Sequence, residues 1–241
     1  MKKSLFIIIL LGFSATQLFP QNGTSYTIPL IGSVAPSFKA ESTNGQINFP
    51  EDYGKNWKII FSHPQDFTPV CSSELLELAH LQSEFEKLGV KVLVVSTDKV
   101  EQHFRWKASL ETITYEGRAP EKINFPIVSD DKYLIADRYG MLHEPTSTSK
   151  DIRGVFIIDP DNIIQAIYFY PVSVGRNMDE IVRTVEALQI ANNNIVTPAN
   201  WEPGDDVMLK YMTDEDKAEN QGTHDSDVYE LTWYMVFKKM D

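Results

Sequence analysis

From Trp57 to Ser62 the chain is apolar except for Lys58 and the closing serine, a pattern that predicts a short buried strand. Leu75, Leu78, Phe85 and Leu88 then recur at helical spacing, and Gly89 stands where a helix needs its C′ residue. The Val-rich segment Val90 to Ser96 predicts a second strand. Strand, helix and strand make a βαβ unit, so the two strands are expected to run parallel. The residues ahead of Trp57 read as a polar lead-in. Downstream, Thr97-Asp98 is expected to cap a helix reaching about Leu110. Arg153 to Ile158 and Ile163 to Tyr170 flank Asp159-Pro160-Asp161-Asn162 as a hairpin. Asn177, with Glu180 three residues later, resembles a capping box that opens a helix to about Ile190.

Beyond Ile190 the pattern weakens. Asp205 to Glu230 carries nine acidic residues against two lysines, which predicts a small, loop-rich extension with a solvated surface. Val228 to Phe237 turns apolar again and predicts a last strand or a partner contact. At the other end, Lys2-Lys3 followed by the nine-residue apolar run Leu5 to Phe13 and then Ser14-Ala15-Thr16-Gln17 has the make-up of a secretory signal. Nine residues are too few for a bilayer-spanning helix. The expected organisation is a signal over residues 1–21, cut between Ala15 and Asn22, a main domain over 27–190 and an extension over 191–241. Export to the periplasm, cell envelope or medium follows from that signal.

Composition narrows the chemistry. With 241 residues, 42% of them hydrophobic, the chain can build a sizeable core. The formal charge is 22 − 34 = −12, or 20 − 34 = −14 once Lys2 and Lys3 are removed, and no basic run offers a grip on nucleic acid or an anionic membrane. One cysteine excludes an internal disulfide, a CxxC pair and any multi-cysteine metal site. The histidines at 80, 103, 143 and 224 are scattered, with no spacing suited to a metal.

A lone cysteine is more often a small core residue than a nucleophile. Cys71, however, falls where the first strand hands over to the helix. Pro69 fits the first turn, and Thr68 is placed as N-cap three residues before the sulfur. At such a position the unpaired N–H groups and the helix dipole favour thiolate over thiol.

The segment Phe61-Ser62-His63-Pro64-Gln65-Asp66-Phe67-Thr68-Pro69-Val70-Cys71 resembles the peroxiredoxin motif P-x-x-x-T-x-x-C, filled by Pro64, Thr68 and Cys71. With His63 before the proline and Ser-Ser-Glu after the cysteine, it is similar to the one-cysteine, peroxiredoxin 6 type branch. Phe125-Pro126-Ile127, Tyr139-Gly140-Met141-Leu142, Arg153 at a strand start and Gly175-Arg176-Asn177 extend the resemblance from about Pro29 to Asp205. The resemblance implies a thioredoxin-like α/β fold with a central mixed sheet flanked by helices, a C-terminal extension packed on a partner subunit, and a homodimer. It also implies that Cys71 attacks hydrogen peroxide or alkyl hydroperoxides and becomes a sulfenic acid. Thr68 would bond the peroxide, Pro64 would shield the pocket from water, and Arg153 would stabilise the developing charge. His63, Glu74 and Arg176 are implied supporting residues around them.

With no second cysteine, the sulfenic acid must be reduced from outside, by glutathione, another small thiol or a thioredoxin-like protein, and no bound cofactor is implied. Two rivals share the same sulfur. A cysteine protease or acyltransferase would pair Cys71 with His63, and a redox sensor or oxidation-activated holdase would react once and expose apolar surface. One departure from the branch stands out: where mammalian members carry a Gly-Asp-Ser-Trp-Gly lipase segment, this chain reads Gly54-Lys55-Asn56-Trp57-Lys58, and Pro50 occupies the place of the associated histidine. No phospholipase activity is expected.

Overall fold

The computed structural model describes residues 27–191, 194–210 and 226–240. Its centre is a seven-stranded mixed sheet in the order β2-β1-β5-β4-β3-β6-β7. The strands are β1 (Phe38–Ser42), β2 (Gly45–Phe49), β3 (Trp57–Ser62), β4 (Val90–Ser96), β5 (Ile127–Ser129), β6 (Arg153–Ile158) and β7 (Ile164–Tyr170). Helices α1 (Pro69–Lys87), α2 (Val100–Leu110), α3 (Leu134–Arg138) and α4 (Met178–Ile190) cover it. The expected βαβ unit is present as β3-α1-β4, its strands parallel with Ile59 opposite Val92 and Phe61 opposite Val94.

Side chains alternate across the sheet with period two. Ile59 and Phe61 of β3 and Val92 and Val94 of β4 pack with Leu75 and Leu78 of α1, Trp106 of α2 and Val185 of α4. Ile60, Leu93 and Val95 face the other way, onto Phe38, Phe49 and Tyr139. Both faces are therefore dry, which explains why these strands read as continuous apolar runs. Lys58, the one charge in β3, is also buried; its Nζ donates to Asn162 Oδ1 at 2.6 Å in the β6–β7 turn.

Five expectations need correction. The lead-in holds the antiparallel hairpin β1–β2; its polar outer positions masked an inner face of Phe38, Ile47 and Phe49. Thr97-Asp98 does not cap α2, whose N-cap is Lys99 without a side-chain bond. The Asp98 carboxylate instead takes the Asp66 backbone N–H at 2.8 Å and Lys150 Nζ at 3.0 Å. At α4 only half of the capping box forms: Asn177 Oδ1 accepts from the Glu180 N–H, while the Glu180 carboxylate turns to Arg183. Past Ile190 the extension is built around a second sheet, β10-β11-β9-β8, from Ile195–Val196 (β8), Val207–Leu209 (β9), Val228–Thr232 (β10) and Met235–Lys238 (β11). The segment expected as one last strand is a hairpin turning at Trp233-Tyr234. The secretory signal and His224 lie outside the described residues. Among the described residues no helix is long and apolar enough to cross a membrane.

Candidate active site

The segment 63–71 leaves the C-terminal end of β3 and enters α1 through one sharp turn. Phe67 takes a left-handed backbone conformation at φ 56°, which costs a non-glycine residue about 1 kcal/mol or more. Thr68 follows in extended conformation as N-cap and Pro69 occupies N1, so Cys71 lands at N3, wholly buried. The Thr68 hydroxyl does not cap the helix. It donates to the Gln65 carbonyl at 2.8 Å, and the Thr68 carbonyl accepts the first helical bond from Ser72 at 2.9 Å. Pro64 is buried at the start of the turn.

Arg153, the first residue of β6, reaches across the sheet to the sulfur. Its Nη1 donates to Cys71 Sγ at 3.2 Å and to Glu74 Oε2 at 2.8 Å, while Nε and Nη2 both donate to the Val172 carbonyl, at 3.0 and 2.7 Å. With both ends of the fork occupied, the guanidinium has one orientation. Gly154 follows for want of space: a Cβ there would lie 2.9 Å from Ser62 Oγ.

Arg176 completes the group from the loop ahead of α4. Its Nε and Nη2 clamp Glu74 at 2.9 and 2.7 Å, its backbone N–H adds a third bond to Glu74, and Nη1 donates to the carbonyls of Ser62 and Gly154. Its guanidinium also lies over the Phe61 ring, 5.2 Å from the centroid. Burial pushes the Glu74 carboxyl up, but Arg176 and Arg153 more than offset this and hold it below the usual carboxylate range. Glu74 is thus an anion shared by two cations, with one guanidinium left facing the sulfur.

His63 goes elsewhere. Its Nε2 is 2.8 Å from Asp66 Oδ1, and the other oxygen of that carboxylate meets His103 Nδ1 at 2.7 Å. All three side chains are fully buried. The reading of His103 as one of several scattered histidines is therefore corrected. Sequence reasoning missed Asp66 and His103 as partners, although His103, Trp106 and Leu110 lie at the 3–4 spacing of a buried stripe. His63, Asp66 and Asp98 also place ligand-type atoms within 4.8 Å of one another. Those groups are committed to hydrogen bonds with each other, with His103 and with Lys150.

A buried cysteine in the first turn of a helix, faced by a fixed guanidinium at the C-terminal end of an interior strand of a mixed sheet, defines a cysteine-based redox enzyme of thioredoxin-like fold. Comparison with known proteins makes this specific. The sequence matches the AhpC/TSA family over residues 31–167 and the C-terminal domain of 1-Cys peroxiredoxin over residues 187–222. It is 44% identical to a peroxiredoxin of Methanosarcina mazei over 215 residues, covering 88% of this chain and 98% of that protein. It is 42% identical to rat peroxiredoxin-6 over 195 residues, 78% of this chain and 86% of the relative. Among solved structures, the yeast mitochondrial 1-Cys peroxiredoxin superposes with TM-score 0.76 at 35% identity, over 88% of this chain and 100% of that one. The peroxiredoxin 6 of Arenicola marina gives 0.75 at 32% identity, over 88% and 98%. The chain belongs to the AhpC/TSA family of peroxiredoxins, in its one-cysteine branch, and is a thiol-dependent peroxidase.

Proposed function

We propose that Cys71 is the peroxidatic nucleophile and that Arg153, Thr68 and Pro64 form the site around it. The observation that carries this assignment is the Arg153 guanidinium 3.2 Å from a buried sulfur at a helix N-terminus. In the first step the sulfur donates an electron pair to the distal oxygen of a hydroperoxide. The S–O bond forms, the O–O bond breaks, and the leaving oxygen takes a proton and departs as water or alcohol, leaving Cys71 as a sulfenic acid. A guanidinium stays charged at any working pH, so Arg153 faces the charge that develops as the O–O bond lengthens. The Thr68 hydroxyl gives its proton to the Gln65 carbonyl and keeps lone pairs that can accept the O–H of a hydroperoxide, and Pro64 adds bulk without a donor. Glu74 and Arg176 fix the Arg153 fork.

Cys71 is the single cysteine of the chain, so the reducing electrons come from a second molecule. One thiol displaces water from the sulfenic acid to give a mixed disulfide, and a second thiol releases Cys71 and the oxidised reductant. The yeast relative resolves through glutathione and thioredoxin systems, which supports a small thiol or a thioredoxin-like protein as the partner here. No bound cofactor enters these steps. The division into a main domain at 27–190 and an extension at 191–241 is supported by the second sheet beyond Ile190. The exposed Leu231, Trp233 and Tyr234 of that extension support a homodimer contact. The basic and apolar N-terminus supports export.

The test is peroxide consumption with excess thiol by Cys71→Ser. Loss of turnover is expected, and unchanged turnover would sink the assignment. Mass of the mature chain after fractionation tests export, and sedimentation of the reduced protein tests the dimer.

A further inference from the structure

The first turn of α1 is held from two sides. On one side stand Arg153, Glu74 and Arg176. On the other, α2 presents His103 and Trp106, three residues apart and both buried. Trp106 Nε1 donates to Ser72 Oγ at 3.2 Å, immediately after Cys71, and the indole packs 4.9 Å from the His63 ring. His103 holds the turn itself through Asp66.

Asp66 is tied to three parts of the fold. Its backbone N–H goes to Asp98, one carboxylate oxygen to His63 at the end of β3, and the other to His103 on α2. A carboxylate only accepts hydrogen bonds, so each imidazole nitrogen facing it carries a proton. His63 is then the Nε2–H tautomer and His103 the Nδ1–H tautomer. Each ring has one further nitrogen. Those nitrogens, His63 Nδ1 and His103 Nε2, are buried without a hydrogen-bond partner among the described residues. The charged groups facing the network are Asp66 itself and Asp98 with its partner Lys150.

We infer that His103 is a positioning residue for the peroxide reaction: acting through Asp66, it fixes the turn 63–68 that delivers Pro64 and Thr68 to Cys71. The inference rests on the peroxidase chemistry assigned to Cys71. It uses no contact between His103 and substrate. Its consequence is geometric, because the turn contains a left-handed Phe67 and lies between Asp66 and the helix N-cap. Loss of the Nδ1 donor frees one oxygen of Asp66 and lets that turn relax. A displacement on the scale of an ångström in a reacting group lowers rate by up to about 100-fold, so a loss of roughly tenfold is expected for a residue one step removed.

The experiment compares three variants for the second-order rate of sulfenic acid formation with hydrogen peroxide. Asparagine carries an N–H close to the place of imidazole Nδ1, whereas glutamine carries it near Nε2, away from Asp66. His103→Leu and His103→Gln are expected to lose about tenfold, with His103→Asn recovering to within about threefold of the parent. Should His103→Leu not fold, the Asn and Gln pair makes the same comparison. Nitrogen-15 spectra of the histidine rings in the parent protein give a readout that needs no variant and no activity. Nε2–H for His63 together with Nδ1–H for His103 is expected. Equal rates in the Asn and Gln variants, or a different tautomer pair, would overturn the inference. A parent protein that fails to form sulfenic acid while showing the expected tautomers would instead overturn the peroxidase assignment.

Discussion

Two buried networks flank the first turn of α1, and each places one carboxylate between two basic side chains. Glu74 sits between Arg153 and Arg176, and Asp66 between His63 and His103. The arrangements look alike, but their charge differs. Guanidinium groups cannot lose a proton in this range, so the arginine network carries a net positive charge, part of it aimed at Cys71. His63 is held below the ordinary histidine range by burial, which outweighs the pull of Asp66. That ring is neutral at pH 7. The first network is suited to stabilising negative charge on reacting atoms, and the second to holding a loop. A carboxylate between two bases does not define a role until the bases are specified.

The sharpest way to break this comparison is to remove each carboxylate. Glu74→Ala leaves two buried guanidinium groups uncompensated and is expected to cost about 3–5 kcal/mol of stability. Asp66→Asn leaves at most one neutral N–H without an acceptor and is expected to cost about 1–3 kcal/mol. Urea unfolding at pH 7 measures both, and equal losses would show that the two networks are energetically the same. Next comes rate. Arg153→Met removes a charged donor from the sulfur and is expected to slow sulfenic acid formation by about 10²–10³-fold, read by stopped-flow fluorescence.

Acid sharpens the contrast further. A histidine whose folded-state pKa is lowered binds its proton more readily in the unfolded chain. Its contribution is therefore complete above about pH 6.5 and declines as pH falls below that. Glu74 and Asp66 are held low in the folded state, so their contribution is present above about pH 4 and is lost as pH falls through their folded values. Stability is expected to fall in two stages, the first beginning as pH drops below about 6.5. His63→Gln removes that stage and leaves the second.

The smallest expected effect belongs to Asp151, two residues before Arg153. Its carboxylate oxygens are buried without a hydrogen-bond partner among the described residues. Burial, and then Asp130, push its carboxyl well above the ordinary range. Raised in this way, it loses stability as pH climbs above about 4, the opposite sign to Glu74. Asp151→Asn is expected to gain on the order of 1 kcal/mol at pH 7 and nothing at pH 4, by unfolding at the two pH values.

The sequence made the central strands legible because β3 and β4 are dry on both faces and leave apolar runs with clear ends at Ser62 and Ser96. Cys71 was legible for the same reason, standing at a strand-to-helix junction beside Thr68 and Pro69. Hairpin β1–β2 was not, because its alternation is diluted by Lys39, Glu41 and Asn48 on the outer side. The arginine network was reached only through family resemblance: Arg153 and Arg176 lie 79 and 102 residues from Glu74, and no local pattern encodes such a contact. His103 was hidden differently. It occupies an apolar position in a helical stripe, and its meaning depends on Asp66, 37 residues earlier, turning inward.

The most direct test of Cys71 as peroxidatic nucleophile is the intact mass of the reduced protein in the first seconds after one equivalent of hydrogen peroxide, with and without a sulfenic-acid trap. Gain of a single oxygen, captured by the trap and absent from Cys71→Ser, is the expected result. No gain, or the same gain in Cys71→Ser, would contradict it.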